Sequence, residues 1–196
     1  MGGIKMLMLT ATAANEEVKL RPFVADDAAD YYELVKNHEI AANAGFTPAN
    51  NLVEAQFLLK RQLGLPGVFA LELPSTGKVI GSVGLYERMN AYGEPAVKQM
   101  DLGYILNVTY WHRGFMTAAV HRIQQYAFDE LQLHRLTASC LAPNTASKII
   151  LEHAGFRQYD AVTHPAYAQF GAGQTELFYE CLASEGDESR ATRKII

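Results

Sequence analysis

Along Met100 to Leu106 apolar and polar residues alternate, and soon afterwards the spacing changes: Met116, Ala119, Val120, Ile123, Ala127 and Leu131 recur three and four positions apart. A period of two giving way to a period of 3.6 predicts a strand that feeds a helix, with Tyr110 to Thr117 as the connecting loop. The same pattern gives a first strand over Val18 to Val24, then a helix with Ala28, Tyr31, Leu34 and Val35 as its apolar stripe and Asp26 or Asp27 as its cap. Asn51-Leu52-Val53-Glu54 has the form of a capping box, with Asn in place of Ser or Thr, and opens a second helix that runs to about Leu63. Gly67 to Leu73 and Lys78 to Glu87 are strand-like and are joined by the turn residues Pro74-Ser75-Thr76-Gly77, which predicts a hairpin. After the loop Arg88 to Ala96 and the strand-loop-helix unit come a strand near His134 to Leu141, a short helix between Asn144 and Gly155, and strands over Phe156 to Thr163 and Thr175 to Leu182. The order is strand, two helices, three strands, helix, strand, helix, two strands, a mixed α/β arrangement of one domain over residues 17–183. Residues 1–16 read as a loose arm and the charged residues 184–196 as a frayed tail.

The loop Tyr110-Trp111-His112-Arg113-Gly114-Phe115-Met116-Thr117 is where chemistry enters. The first turn of a helix leaves backbone N–H groups without partners and carries partial positive charge, so it attracts anions. Gly114 allows close approach of the main chain, and Arg113 adds a fixed positive charge. A plain strand-to-helix connector would also use a glycine, so the reading depends on residues further along the chain: His134-Arg135, then Asn144 with Ser147, then Gly155-Phe156.

Gly103-Tyr104, Tyr110-Trp111 with Gly114, Tyr126-Ala127-Phe128, His134-Arg135, Asn144 with Ser147, and Gly155-Phe156 succeed one another in the order and spacing of the GCN5-related N-acetyltransferases (GNAT), and the chain most resembles the branch that acetylates ribosomal-protein N-termini. Two positions depart from the general superfamily loop: Trp111 stands where Gln or Arg is usual, as in this branch, and Met116 where Gly or Ala is usual. The resemblance implies a central mixed, mostly antiparallel sheet of about six to seven strands, splayed in the middle, with helices on both faces. It implies acetyl-CoA as cofactor, released as CoA. It places the pantetheine amides against the main chain of Ile105, Leu106 and Asn107, and the phosphates at His112, Arg113, Gly114, Phe115, Met116 and Thr117. Asn144 and Ser147 complete the implied cofactor contacts.

Amine acetylation requires a neutral amine, a polarised carbonyl and a proton for the departing thiolate. Asp101, at the start of the central strand, and Glu87, at the end of its hairpin neighbour, are the two candidate bases, and either could equally be a solvated strand-end charge. Many superfamily members place a Tyr seven residues after the Asn; Leu151 occupies that position here, which leaves Ser147 or a water as the acid. Tyr104 and Trp111 read as packing aromatics, with the acceptor channel as the second possibility.

Composition narrows the partners. A net charge of −4 in 196 residues, without clustered Lys and Arg, argues against nucleic acid and suits a cationic acceptor. Two cysteines without ligand spacing argue against a disulfide framework and a metal site, and Cys140 in an apolar strand reads as a small buried hydrophobe. No run approaches a membrane span, and Lys5 to Ala13 is too short an apolar core for a signal peptide. The expectation is a cytoplasmic N-acetyltransferase, monomer or homodimer, acting on a primary amine by direct attack within a ternary complex. A protein N-terminal α-amine leads, a small amine or antibiotic is the second enzyme reading, and a CoA-binding module without turnover is the reading from another class.

Overall fold

A computed structural model describes residues 9–13, 16–90 and 92–183. Eight strands form one sheet in the order β1-β2-β3-β4-β5-β6-β8-β7. They are β1 (Leu9–Ala13), β2 (Glu16–Arg21), β3 (Val68–Leu73), β4 (Lys78–Met89), β5 (Pro95–Leu106), β6 (Arg135–Leu141), β7 (Arg157–Thr163) and β8 (Thr175–Leu182). Every neighbouring pair is antiparallel except β5 and β6. That parallel seam holds only at Gln99 with Arg135, Met100 with Leu136, and Asp101 with Thr137. Beyond Asp101 and Thr137 the two strands diverge, and the sheet opens.

The helices are α1 (Ala28–Val35), α2 (His38–Ala44), α3 (Leu52–Lys60), α4 (Phe115–Gln125) and α5 (Thr145–His153), and a π-helical turn, Tyr126–Glu130, continues α4. Alternation along β3 sends Phe69, Leu71 and Leu73 into one core with Phe115, Ala119, Val120 and Ile123 of α4, and Val68 and Ala70 into another with Tyr31, Leu34 and Val35 of α1 and Leu59 of α3. Helices therefore cover both faces. No helix among the described residues is long and apolar enough to cross a membrane.

Four differences from the sequence reading have physical causes. The expected arm over residues 1–16 gives way at Leu9: Leu9 is buried, and Leu9–Ala13 pairs with Glu16–Leu20 as an edge strand that adds an eighth strand to the sheet. Residues 1–8 and 184–196 lie outside the described residues. Asp27 does not cap α1 through its side chain; it is buried against Arg21, whose guanidinium it takes at 2.7 and 2.8 Å. The expected loop Arg88 to Ala96 is the end of a long hairpin, because β4 and β5 run on to pair Met89 with Pro95. Finally, α2 was not foreseen. It is seven residues long and rich in Ala, so its stripe is short, yet its punctuation was readable: the Asn37 side chain accepts from the N–H groups of Glu39 and Ile40, and Gly45 closes it at φ +75°. The Asn51 box holds, with Glu54 reaching back to the N–H of Asn50, one residue further than the motif requires.

Candidate functional site

The opening between β5 and β6 is the floor of a cavity of about 1240 Å³. Its α4 side is built largely from main chain. His112 (φ +60°) and Gly114 (φ +78°) both adopt left-handed backbone within the loop, and α4 begins at once. The first intrahelical bond is Ala118 N–H to Gly114 O, at 3.0 Å, so the N–H groups of Phe115, Met116 and Thr117 have no acceptor within the helix. His112, Gly114 and these three residues all border the cavity. A Cβ on Gly114 would meet only Ala13 Cβ, at 3.7 Å, so glycine answers here to backbone conformation and not to crowding. The Trp111 indole N–H donates to Leu106 O at 2.8 Å and ties the end of β5 to the loop.

At the start of α5 the Asn144 side chain accepts from Ser147 N–H at 3.1 Å, and both residues border the cavity. On its β6 side β5 has no strand partner beyond Asp101, and Ile105 and Leu106 border the cavity there, with Leu106 O taken by the Trp111 indole. Tyr104 also faces in, and its hydroxyl donates to Ser147 O at 3.4 Å; burial pushes its pKa well above that of an ordinary phenol. Cys140 borders the same space, but burial raises its thiol to about 11, which removes it as a nucleophile near neutral pH. An acyl-CoA fits these groups. Unpartnered N–H donors beside a glycine loop suit phosphates, and a bare strand edge suits amides.

The opposite side is built from side chains. Asp101, at the apex where the strands part, accepts from Arg88 Nη1 at 3.0 Å and from the Thr137 hydroxyl. Both donors engage the same oxygen, Oδ1. The second oxygen has no protein partner among the described hydrogen bonds. Ser139, Tyr159 and Phe178 continue this wall, and α2 with Phe170, from the β7–β8 loop, lies across it.

Three expected site residues fall elsewhere. Glu87 is exposed and does not border the cavity: it pairs with Met100 and shares Leu85's face of β4, one residue out of phase with Arg88 and Asp101. Arg113 turns away, with its guanidinium over the rings of Phe115 and Tyr110, 4.7 and 5.5 Å to their centres, and its Nη2 is 3.3 Å from Glu16 Oε2. Asn107 is buried and fully engaged. Its N–H donates to Ile80 O, its carbonyl accepts from Tyr110 N–H, and its side chain joins Thr109 N–H and Glu33. Leu151 is completely buried in the α4 core, so nothing at that position reaches the cavity. Arg88, Thr137, Ser139, Tyr159, Phe170 and Phe178 were missed. One signal was available: Thr137 and Ser139 are polar residues alternating with Leu136, Ala138 and Cys140 in β6, the mark of a strand with one polar face.

The family model described as Acetyltransferase (GNAT) domain matches residues 17–157. YjcK of Bacillus subtilis (strain 168), named as a probable N-acetyltransferase, is 34% identical over 90 residues, 46% of this chain and 48% of its own length. Among solved structures, Mycobacterium smegmatis RimJ in complex with CoA-disulfide aligns with TM-score 0.76 at 21% identity, over 93% of this chain and 90% of that one. The ribosomal-protein-S5-alanine acetyltransferase of Vibrio fischeri aligns with TM-score 0.63 at 21% identity, over 86% and 94%. Spermidine N-acetyltransferase of Vibrio cholerae, in complex with CoA and spermine, aligns with TM-score 0.70 at 19% identity, over 84% and 95%. At these identities the three structures speak for the fold.

Proposed function

We propose that this chain, which belongs to the GNAT acetyltransferases, transfers an acetyl group from acetyl-CoA to the α-amine at a protein N-terminus. The observation that carries the reading is the meeting, in one cavity, of the bare β5 edge and the unpartnered N–H groups of α4 with a carboxylate, Asp101, at the apex of the gap. The acceptor preference is supported by the Trp111 loop, which resembles that of the N-terminal branch.

In this reading the first turn of α4 holds the phosphates of acetyl-CoA and the β5 edge aligns its pantetheine, so that the thioester lies where β5 and β6 part. The free oxygen of Asp101 accepts the amine proton, directly or through a water. Arg88 and Thr137 fix the rotamer of that carboxylate and leave one oxygen open. The amine then attacks the carbonyl, and the proton for the departing thiolate comes from Ser147 or from a water held by Asn144 and Ser147. A thiol near the ~8.5 of free cysteine leaves tolerably as thiolate, so this acid gives partial help only.

Release of CoA thiol, measured on a panel of peptides with free N-termini alongside polyamines and aminoglycosides, tests the proposal. Peptide acetylation at the α-nitrogen, located by mass spectrometry, is the expected result. Turnover confined to the small amines overturns the acceptor assignment, and tight acetyl-CoA binding with no turnover on any amine overturns the catalytic one.

A further inference from the structure

Past Asp101, where the parallel pairing ends, the edge of β5 that faces β6 has no strand partner. Of the residues along it, Leu102-Gly103-Tyr104-Ile105-Leu106, only Tyr104 carries a side-chain hydrogen-bond donor. Alternation puts Asp101 and Tyr104 on opposite faces of the strand. Ile105, in phase with Asp101, packs with the α1 core, whereas Leu102, Tyr104 and Leu106 pack with the α4 core. The carboxylate and the phenol therefore stand on two sides of the same opening, and both border the cavity.

The phenol is loosely held. Its hydroxyl ends at the first turn of α5, where it donates to Ser147 O at 3.4 Å, longer than a well-made O–H···O bond. That carbonyl lies within α5 and has a helical donor of its own in the N–H of Leu151, four residues on. Cys140 of β6 and Tyr179 of β8 are also near enough to act on the phenol, and burial keeps it protonated through the neutral range. Tyr104 is thus a donor and not a base. A half-buried phenol without a well-placed acceptor gains most from an acceptor that arrives with a ligand.

We propose that Tyr104 is a catalytic residue of the acetyl transfer, its hydroxyl donating a hydrogen bond to the sulfur of the departing CoA thiolate. The inference rests on the acetyl-CoA reading of the cleft and is independent of the acceptor. With the thioester where β5 and β6 part and the pantetheine along the edge towards Leu106, the sulfur joins the two stretches beside Tyr104. The bond from the amine nitrogen to the acetyl carbon forms as the carbon–sulfur bond breaks. The amine proton passes to Asp101 on one face, and the electron pair stays on sulfur on the other. Tyr104 keeps its own proton, because burial holds its pKa far above that of a thiol, and it stabilises the charge without neutralising it. The proton that completes the thiol comes from Ser147 or its water, and a donor already at the sulfur leaves that acid only a partial role.

The test reads the thiol directly. CoA bound to the protein is titrated by the ultraviolet absorbance of its thiolate, with the desulfo-CoA complex as blank. In the wild type the bound thiol should ionise about one pH unit or more below free CoA, and in Tyr104→Phe, which keeps the ring and loses the donor, it should return to the free value. The same substitution should lower kcat by ~10- to 100-fold and leave the KM for acetyl-CoA within about twofold. A ring-fluorinated tyrosine at position 104, a stronger donor of the same shape, should lower the bound thiol pKa further. A wild-type thiol that ionises at or above the free value overturns the proposal, and so does one that neither replacement moves. Absence of CoA binding in calorimetry removes instead the acetyl-CoA reading on which the proposal rests.

Discussion

The two sides of the cleft offer a ligand different kinds of group. On the α4 side these are main-chain groups: the N–H donors of Phe115, Met116 and Thr117 and the edge of β5 from Leu102 to Leu106. On the α2 side they are side chains drawn from distant places: Arg88 from β4, Asp101 from β5, Thr137 from β6, Tyr159 from β7 and Phe170 from a loop. Main-chain recognition requires only that the backbone take a certain path, so a few punctuating residues at fixed spacing secure it. Side-chain recognition is free to change with every substitution. A family can therefore keep one donor and exchange acceptors, because the two tasks are carried by different parts of the polypeptide.

The strongest challenge to that division is Gly114→Asp. The carboxylate would face the free N–H groups that the phosphates need, on a backbone that disfavours any side chain, and acetyl-CoA affinity should fall by at least ~100-fold in calorimetry. Gly114→Ala adds only strain of about 1 kcal/mol and should weaken binding by less than ~10-fold, because its Cβ has room beside Ala13. Equal effects of the two would mean that the loop excludes bulk and does not bind an anion.

Asp101→Asn addresses the other side. It should lower kcat by ~10²-fold and leave acetyl-CoA affinity unchanged, whereas Glu87→Gln, on the wrong face of β4, should keep kcat within about twofold. A loss of cofactor affinity in Asp101→Asn would show that the two walls are not separable. Ser147→Ala should reduce kcat by ~3- to 10-fold. Its companion Leu151→Tyr should give no gain in rate and should lower the Tm, since overfilling a fully buried site costs about 1–3 kcal/mol. The smallest effect belongs to Arg113→Ala. With its guanidinium stacked on Phe115 and paired with Glu16, removal should change acetyl-CoA affinity by less than ~3-fold, and a larger, salt-dependent loss would show that Arg113 leaves Glu16 to meet the cofactor.

The same division explains what the sequence disclosed. The α4 wall was legible because Gly114, Asn144 and Gly155 mark backbone turns, and the change from period two to period 3.6 marks where the strand becomes the helix. Arg113 and Asn107 lie within that legible stretch, and in the structure both are nevertheless engaged elsewhere. Their partners, Glu16 and Glu33, are 97 and 74 residues away, and local spacing carries no trace of such pairs. The Arg88–Asp101–Thr137 cluster was obscured for the same reason, since three strands must register before it exists. Helix α2 escaped because Ala-rich helices of two turns have little stripe to detect, although Asn37 and Gly45 bracket it.

The parallel seam has a consequence for how the protein comes apart. Three rungs, from Gln99–Arg135 to Asp101–Thr137, are the strand pairing that joins β1–β5 to β6–β8, and the chain must cross over through α4 before they can form. A join so narrow and so late in connectivity is where a cooperative unit divides most readily into two. In native-state hydrogen exchange β6, β7, β8 and α5 should open together as one foldon, at lower free energy than the β3–β4–β5 meander. A bound pantetheine, lying along the diverging edges like a missing strand, should draw the two foldons into one, so that acetyl-CoA slows exchange throughout β7 and β8.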